Sequence, residues 1–251
     1  MTLPVTPNKT IPSSLRKGDS GWPVYALQAG LTVCGFDCEG NDGAFGPKTD
    51  MQTRLFQKKY NLVVDGIAGN ATQSRISILI DAKTHNRHKD LPTGLLRGFA
   101  ETEGGNNLGA VNWHIEGGVD CGIVQIRVYG PPYATQHMQN AYNPSVAMEK
   151  VATTFKGRVA SMRTMAYAKK QPMEYAIRCA ALAWNWPYAA EQYAKNGKLP
   201  SPNNDCTWAV IGNTRVKFPN GQPVKTWKDW AEFYALGGKN GEGRVTRFID
   251  W

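Results

Sequence analysis

The sequence lacks long apolar runs and blocks of consecutive charge. Nowhere do about eighteen apolar residues follow one another, so the sequence predicts no membrane-spanning helix. The first 20 residues contain three prolines and no apolar core segment, which is not the pattern of a secretory signal. No nucleic-acid readout motif accompanies the basic residues, so no nucleic-acid partner is expected.

Cysteine is scarce, and its spacing excludes the usual zinc sites. There are five cysteines and four histidines, and none of them follow a paired metal-ligand pattern. We therefore expect no metal and no cofactor, and reduced structural thiols. Two pairings stay open, one across a turn and one between later helices: Cys34 with Cys38, and Cys179 with Cys206.

Charge is unevenly distributed along the 251 residues, which carry a net +9. Residues 1–82 have 8 Lys/Arg against 7 Asp/Glu (+1), whereas residues 83–251 have 21 against 13 (+8). A positive field favours approach to a polyanionic surface such as a bacterial wall. Dispersed solubilising charge is the alternative, because basic residues such as Lys169 and Lys170 occur at most in pairs.

The N-terminal part contains an internal repeat. Asp42–Thr49 (DGAFGPKT) recurs as Asp65–Thr72 (DGIAGNAT), a shift of 65 − 42 = 23 residues. In each copy Asp-Gly predicts a turn and the following residues predict a helix. Three short helices with apolar faces at a period near 3.6 would close around a small core. The predicted faces are Val24, Leu27, Leu31; Met51, Leu55, Phe56; and Ile76, Leu79, Ile80.

These residues, with Leu15–Gly21 (LRKGDSG) and Phe56-Gln57, resemble the peptidoglycan-binding type 1 domain. The resemblance implies that this region grips peptidoglycan, with Gln28, Phe45 and Asp65 as groove candidates. A structural role is the competing interpretation for each residue. Phe45 would pack in the core, Asp65 would form a turn, and Gln28 would be a hydrogen-bonded helix residue.

A second segment, Ala100–Gln125, holds a pair of carboxylates suited to glycoside cleavage. The apolar run before Gly104-Gly105 predicts a helix that ends there and places Glu103 at its poorly solvated C-terminal end. Burial favours the protonated form, which can donate to a leaving oxygen. Asp120, ahead of a predicted strand beginning at Gly122, should stay ionised. Two carboxyls in unlike surroundings are what glycosidases use.

Glu103, Ala110-Val111-Asn112 and Asp120–Ile126 (DCGIVQI) resemble the lysozyme superfamily and its soluble lytic transglycosylases. The resemblance implies that Glu103 is the general acid and Asp120 the second carboxylate, with Glu116 as an alternative. Leu182–Pro187 (LAWNWP) looks like the family's substrate-contacting segment, with Trp where Tyr is usual.

Further substrate contacts are expected from residues near the carboxylates. The resemblance implies that Gln125, Trp184 and Asn185 hold substrate. Trp113 and Tyr129 could offer flat faces to sugar rings, although burial in the core is an even alternative for each aromatic. Cys121 beside Asp120 is a weaker candidate for a nucleophile, since no orienting His is evident.

The fold prediction is a mainly α chain: a three-helix peptidoglycan-binding bundle followed by a larger lysozyme-like α(+β) domain. The predicted divisions are a tail (1–14), the bundle (15–82), a polar linker (83–92) and the catalytic domain (93–251). No function is predicted for residues 203–251.

Together these features predict a monomeric modular endolysin that cleaves the bond between N-acetylmuramic acid and N-acetylglucosamine. Such a phage lysin would be made in the host cytoplasm without a signal peptide and act on the wall after release, without inserting into a membrane. Two alternatives remain: a lytic transglycosylase that leaves anhydro-muramyl ends, and a non-catalytic wall-binding or virion protein.

Overall fold

The structure, a computed structural model, is mainly helical with one small antiparallel sheet. It describes residues 3, 6, 12–113, 118–130, 133–199, 235 and 245. A single turn of 3₁₀ helix occupies Ala168–Lys170. The other elements are α1 (Trp22–Val33), α2 (Pro47–Lys59), α3 (Asn70–Arg87), α4 (Leu95–Gly104), β1 (Val111–Trp113), β2 (Gly118–Cys121), β3 (Ile126–Tyr129), α5 (Thr135–Tyr142), α6 (Pro144–Arg163), α7 (Met173–Leu182) and α8 (Pro187–Asn196).

The chain forms two compact units. The first comprises Met1–Leu91 with Phe99–Ala152, and the second comprises Pro92–Gly98 with Thr153–Trp251. The first unit therefore holds α1 to α3 together with the sheet and α5. The domain boundaries inferred from the sequence stay a prediction.

The helices α1 to α3 form where the repeat predicts them, each after a glycine at its N-terminal boundary. Their core contains Leu27 and Leu31 of α1, Phe56 of α2 and Ile76 and Ile80 of α3, all fully buried. The predicted apolar face of α2 is partly wrong. The side of this helix that faces the core is largely polar. Its predicted core residues Met51 and Leu55 are 42% and 46% exposed, whereas Thr49 and Thr53 are buried.

A buried glutamine explains the polar inward face of α2. The Gln57 side chain donates from Nε2 to Asp65 Oδ1 (2.9 Å) and to the Ile67 carbonyl (3.0 Å), and its Oε1 accepts from the Gly66 N–H (2.9 Å). Its fourth polar contact is to Thr72 Oγ1 at 3.3 Å. One amide therefore holds the whole second Asp-Gly turn.

Gln28 on α1 makes the same set of contacts with the first Asp-Gly turn. Its Nε2 donates to Asp42 Oδ1 (2.9 Å) and the Ala44 carbonyl (3.1 Å) and also contacts Thr49 Oγ1 (3.1 Å), and its Oε1 accepts from the Gly43 N–H (2.8 Å). The Ala44 N–H and then the Gln28 amide hold the pKa of Asp42 below its ordinary value. The repeat is thus a pair of glutamine-clamped turns.

The structure differs from the predicted linker at residues 83–92. Helix α3 continues to Arg87, so its last turn occupies half of that segment. Arg87 Nη2 lies 2.9 Å from Glu149 Oε2, and His88 Nε2 contacts the other carboxylate oxygen. Residues 83–87 are therefore helical although they lack apolar periodicity, with Thr84 buried and Arg87 in an ion pair with Glu149 of α6.

Within the first unit, the bundle packs directly on the segment that follows it. The rings of Trp22 and Tyr142 stack with centroids 5.4 Å apart. A Cβ added to Gly30 would lie 2.7 Å from Ile76 and 3.5 Å from Leu108, so α1 lies close to both neighbours. These contacts join α1 to α5 and to the loop after α4.

No helix among the described residues is both long enough and apolar enough to cross a bilayer.

We expect Gln28→Ala to lower the free energy of unfolding by about 1–3 kcal/mol, because it leaves the buried Gly43 N–H without its acceptor. Urea unfolding followed by circular dichroism measures the change. Gln136→Ala is the matched control, since Gln136 is exposed and bonds only within its own helix to Asn140. Equal effects of the two substitutions would contradict the clamp.

Candidate active site

Glu103 lies where the sequence predicts it, one residue before the C-terminal end of α4. Its side chain is half-buried. The last carbonyls of a helix carry the negative end of the macrodipole, which disfavours a charged carboxylate at that end. The role of Glu103 as general acid stays a prediction.

Glu101, the competing candidate two residues earlier, has a different role. Its carboxylate accepts a hydrogen bond from Asn106 Nδ2, while Asn106 Oδ1 accepts one from the buried Ser77 hydroxyl (3.2 Å). Asn106 has φ 59°, a left-handed conformation that asparagine tolerates. Glu101 thus helps to fix the loop after α4.

The strand predicted from Gly122 onward is a buried turn. β2 ends at Cys121, and the register pairs Cys121 with Ile126, so residues 122–125 form the connection. The Gln125 N–H donates to the Gly122 carbonyl at 3.1 Å. Positive φ values at Gly122 (76°) and Gln125 (53°) are incompatible with an extended strand.

This turn looks like a strand in the sequence because it is buried on both sides. Ile123 and Val124 are 1% and 0% exposed. A Cβ on Gly104 would lie 2.3 Å from the Ile123 carbonyl oxygen, and a Cβ on Gly122 would lie 2.1 Å from that of Ala141. The turn is therefore held between the end of α4 and the end of α5, so the C-terminal end of the helix that carries Glu103 packs against this turn.

Asp120 lies on the central strand of the sheet, which has the order β1-β2-β3. It is paired with Asn112 on one side and Arg127 on the other. The Arg127 guanidinium donates from Nη2 to Asp120 Oδ2 at 3.1 Å and from Nε to Oδ1. Asp120 therefore forms a two-point ion pair with Arg127, a contact that the sequence did not predict.

Arg127 could have been recognised from hairpin geometry. Residues that face each other across two antiparallel strands lie on the same side of the sheet. A turn over residues 122–125 places residue 127 opposite residue 120. The prediction of a strand that begins at Gly122 leaves no turn there, and therefore does not pair Asp120 with Arg127.

The remaining candidates of the first unit lie around the sheet. Gln125 Nε2 donates to the Gly122 carbonyl at 2.9 Å, so this side chain braces its own turn. Trp113, at the end of β1, is 40% exposed and contacts Tyr133 edge-on at 6.1 Å between ring centroids. Tyr129, at the end of β3, is 75% exposed. Both aromatic rings are accessible to a sugar.

Trp184 and Asn185 belong to the second unit, in the turn after α7. The Trp184 ring is half-buried, with the Arg158 guanidinium carbon 4.9 Å from its centroid. Asn185 is exposed. Their contact with substrate stays a prediction.

Two of the three residues predicted to line a groove in the bundle are buried in the structure. Gln28 and Phe45 are each 2% exposed, and the amide of Gln28 is fully engaged with the first Asp-Gly turn. Asp65 is exposed, but its Oδ1 accepts from the Ile67 N–H (2.8 Å) and from Gln57. The structural interpretation therefore holds for Gln28 and Phe45, and Asp65 forms its turn.

The cysteines offer no activated nucleophile among the described residues. Cys121 is fully buried, and burial raises the pKa of its thiol to about 12. A reactive cysteine requires the opposite shift. Cys34, Cys38, Cys121 and Cys179 are unpaired thiols, whereas Cys206 lies outside the described residues.

Some parts of the sequence analysis fall on residues that the structure does not describe. Glu116, the alternative second carboxylate, and most of residues 203–251 lie outside the described ranges. Within those ranges, no group of three or more His, Cys, Asp or Glu side chains could hold a metal ion.

Comparison with protein families identifies the N-terminal bundle. Residues 20–76 match the family model described as a peptidoglycan binding domain. This match confirms the resemblance inferred from the repeated Asp-Gly turns.

Comparison with curated proteins finds bacterial enzymes that share part of this sequence. The N-acetylmuramoyl-L-alanine amidase CwlL of Bacillus licheniformis is 36% identical over 74 residues, which cover 29% of this chain and 21% of that protein. The zinc D-Ala-D-Ala carboxypeptidase of Streptomyces albus G is 42% identical over 72 residues (27% and 28%). A spore cortex-lytic enzyme of Bacillus cereus is 35% identical over 89 residues (35% and 34%).

The chain thus spans only about a fifth to a third of these relatives, at 21%, 28% and 34% of their lengths. Among solved structures, the crystal structure of the Burkholderia AP3 phage endolysin is 26% identical and covers 42% of each chain, with a TM-score of 0.25.

We expect Gly122→Ala to destabilise the protein more than Gly105→Ala by about 1–3 kcal/mol. Both glycines have positive φ (76° and 58°), so both substitutions strain the backbone. Only at Gly122 does the new Cβ also collide, with the Ala141 carbonyl, whereas the position at Gly105 is open. Melting temperatures of the two variants measure the difference, and equal values would show that the turn is not wedged against α5.

Proposed function

We propose that this chain is a peptidoglycan hydrolase of the endolysin type, which cleaves the bond between N-acetylmuramic acid and N-acetylglucosamine. The observation that carries the proposal is the position of Glu103, half-buried at a helix end that packs against the turn joining β2, which bears Asp120, to β3. The N-terminal bundle would hold the wall while this site acts. The protein would work as a monomer on the wall after release from the host cell.

Support for the wall as substrate comes from the family match of residues 20–76. The relatives add to it, since their names denote an amidase, a carboxypeptidase and a cortex-lytic enzyme. These names differ in the bond attacked, so the choice of the glycosidic bond rests on the carboxyl groups of this chain.

The proposed chemistry assigns one task to each carboxyl group. Glu103 donates its proton to the bridging oxygen as the bond breaks. Asp120 faces the positive charge that develops on the sugar ring, with Arg127 fixing its orientation. Trp113 and Tyr129 offer ring faces to the glycan, and Trp184 and Asn185 remain proposed substrate contacts.

Lytic transglycosylase activity is the second candidate, and the ion pair favours it. The Arg127 guanidinium engages both oxygens of Asp120 and offsets its charge. A transglycosylase needs only one carboxyl group, because the sugar's own hydroxyl closes the ring in place of water. Mass spectrometry of the released fragments separates the two, since only the transglycosylase leaves anhydro-muramyl ends.

We expect Glu103→Gln to reduce the lysis of purified sacculi at least about 10³-fold, because a neutral amide cannot donate the proton. Glu101→Gln is the matched control on the same helix, since an amide oxygen still accepts from Asn106. Turbidity loss measures the rate, and binding to sacculi should persist in both variants. A Glu103→Gln protein that clears sacculi at the wild-type rate would refute the assignment.

The role of Asp120 is tested by comparing Asp120→Asn with Arg127→Gln. For a catalytic carboxylate, Asp120→Asn should lower kcat about 10²-fold or more, whereas Arg127→Gln should cost less because the carboxylate remains. A structural ion pair predicts equal losses in both variants, since removing either partner breaks the same contact. Glu116→Gln in the same assay tests the alternative second carboxylate.

A further inference from the structure

A cavity of about 500 Å³ opens beside the sheet, within the first unit. It lies between β3, the start of α5 and the first turns of α6. Its volume falls in the range of ordinary ligand sites. Among the described residues, neither Glu103 nor Asp120 lines it, so it is distinct from the proposed acid. The lining residues are Ile126, Arg127, Val128, Tyr129, Ala134, His137, Asn140, Val146 and Lys150.

The polar part of this lining is suited to an anion. Lys150 brings positive charge, while the Arg127 guanidinium is already paired with Asp120. The His137 ring and the Asn140 amide can donate hydrogen bonds. Among the described lining residues there is no Asp or Glu. Lys150 and His137 are both exposed, so they reach a ligand without rearrangement of the core.

The apolar part restricts the kind of anion. Ile126, Val128, Ala134 and Val146 contribute aliphatic surface, and Val146 is 42% exposed although it lies on a helix. The ring of Tyr129 is also accessible. A ligand with small apolar side chains between its charges matches such a wall better than a bare phosphate chain does.

The cavity is linked to the proposed active site through one side chain. Arg127 lines the cavity and also donates to Asp120 at 3.1 Å. The cavity and Asp120 therefore share the Arg127 side chain. In a peptidoglycan strand the sugars are uncharged, whereas the peptide on each muramyl residue carries alanine methyl groups and free carboxylates.

We propose that this cavity is a subsite for the anionic stem peptide of peptidoglycan, with Lys150 and His137 contacting its carboxylates. This proposal rests on the proposed function, and it names the part of the substrate that the cavity would bind. A glycan bound with its sugar ring at Asp120 would direct its muramyl peptide into the cavity. The enzyme would then prefer peptide-bearing glycan to bare glycan.

The test is a binding measurement on the full chain carrying Glu103→Gln, so that no turnover interferes. The probes are a disaccharide tetrapeptide with free carboxylates and the same compound with its carboxylates amidated, each titrated by calorimetry. We expect the parent protein to bind the carboxylate form more tightly. Lys150→Ala should weaken binding of the carboxylate form about 5- to 20-fold and remove most of the preference for it. A loss of this size is expected when a charge-assisted hydrogen bond is removed.

His137→Gln gives a second variant, with a smaller loss expected because the amide still donates. Lys169→Ala is the matched control, an exposed lysine on the 3₁₀ turn that does not line the cavity. Melting temperatures verify that all variants are folded. The proposal would be overturned if the parent protein showed no preference between the probes, or if Lys150→Ala weakened the binding of both probes equally.

Two further results separate the possible failures. Tighter binding of a ribitol-phosphate oligomer than of the peptide probe, with the same dependence on Lys150, would overturn the peptide assignment in favour of a phosphate polymer. The outcome is independent of the catalytic assignment, since the binding data do not depend on Glu103. Lysis by Glu103→Gln would instead defeat the proposed function while leaving the binding data valid.

Discussion

The close contact of three backbone segments determines the geometry of the candidate site. The buried turn at residues 122–125 lies between the end of α4 and the end of α5, and glycine on both sides lets the chains approach. Side chains at Gly104 and Gly122 would lie 2.3 and 2.1 Å from carbonyl oxygens, distances that no packed atom adopts. Because the turn joins β2 to β3, its position fixes Asp120 and Arg127 relative to the helix that carries Glu103.

The same unit is held together by buried amides that bond to the backbone. Gln28 and Gln57 each clamp one turn of the repeat. Gln73 on α3 extends the pattern, because its Oε1 accepts from the Leu108 N–H at 2.9 Å, in the loop after α4. A buried donor without a partner is costly, so such contacts specify geometry as well as stability. The bundle therefore supports the loop that follows the proposed acid, which a flexible tether could not do.

The sequence predicted those features that depend on local pattern. The helices α1, α2 and α3 follow from apolar periodicity and the glycine boundaries, and the end of α4 follows from Gly104-Gly105. Met51 and Leu55 were misplaced because the inward face of α2 is filled by Thr53 and Gln57, and hydrophobicity alone does not identify a hydrogen-bonded core. The cavity could not be predicted, since its lining comes from three elements whose packing no local pattern encodes.

The ion pair between Asp120 and Arg127 bears most directly on the choice of mechanism. A carboxylate that stabilises a cationic sugar must direct its charge at the ring, yet here a guanidinium takes up both oxygens. Substrate could change this balance, because an anionic group in the cavity would compete for Arg127 and leave more of the Asp120 charge facing the glycan. With a peptide-bearing substrate both Glu103 and Asp120 would then take part in catalysis, whereas with bare glycan only Glu103 would. On this proposal the cavity and the proposed carboxylate pair would act together, with Arg127 as the residue that they share.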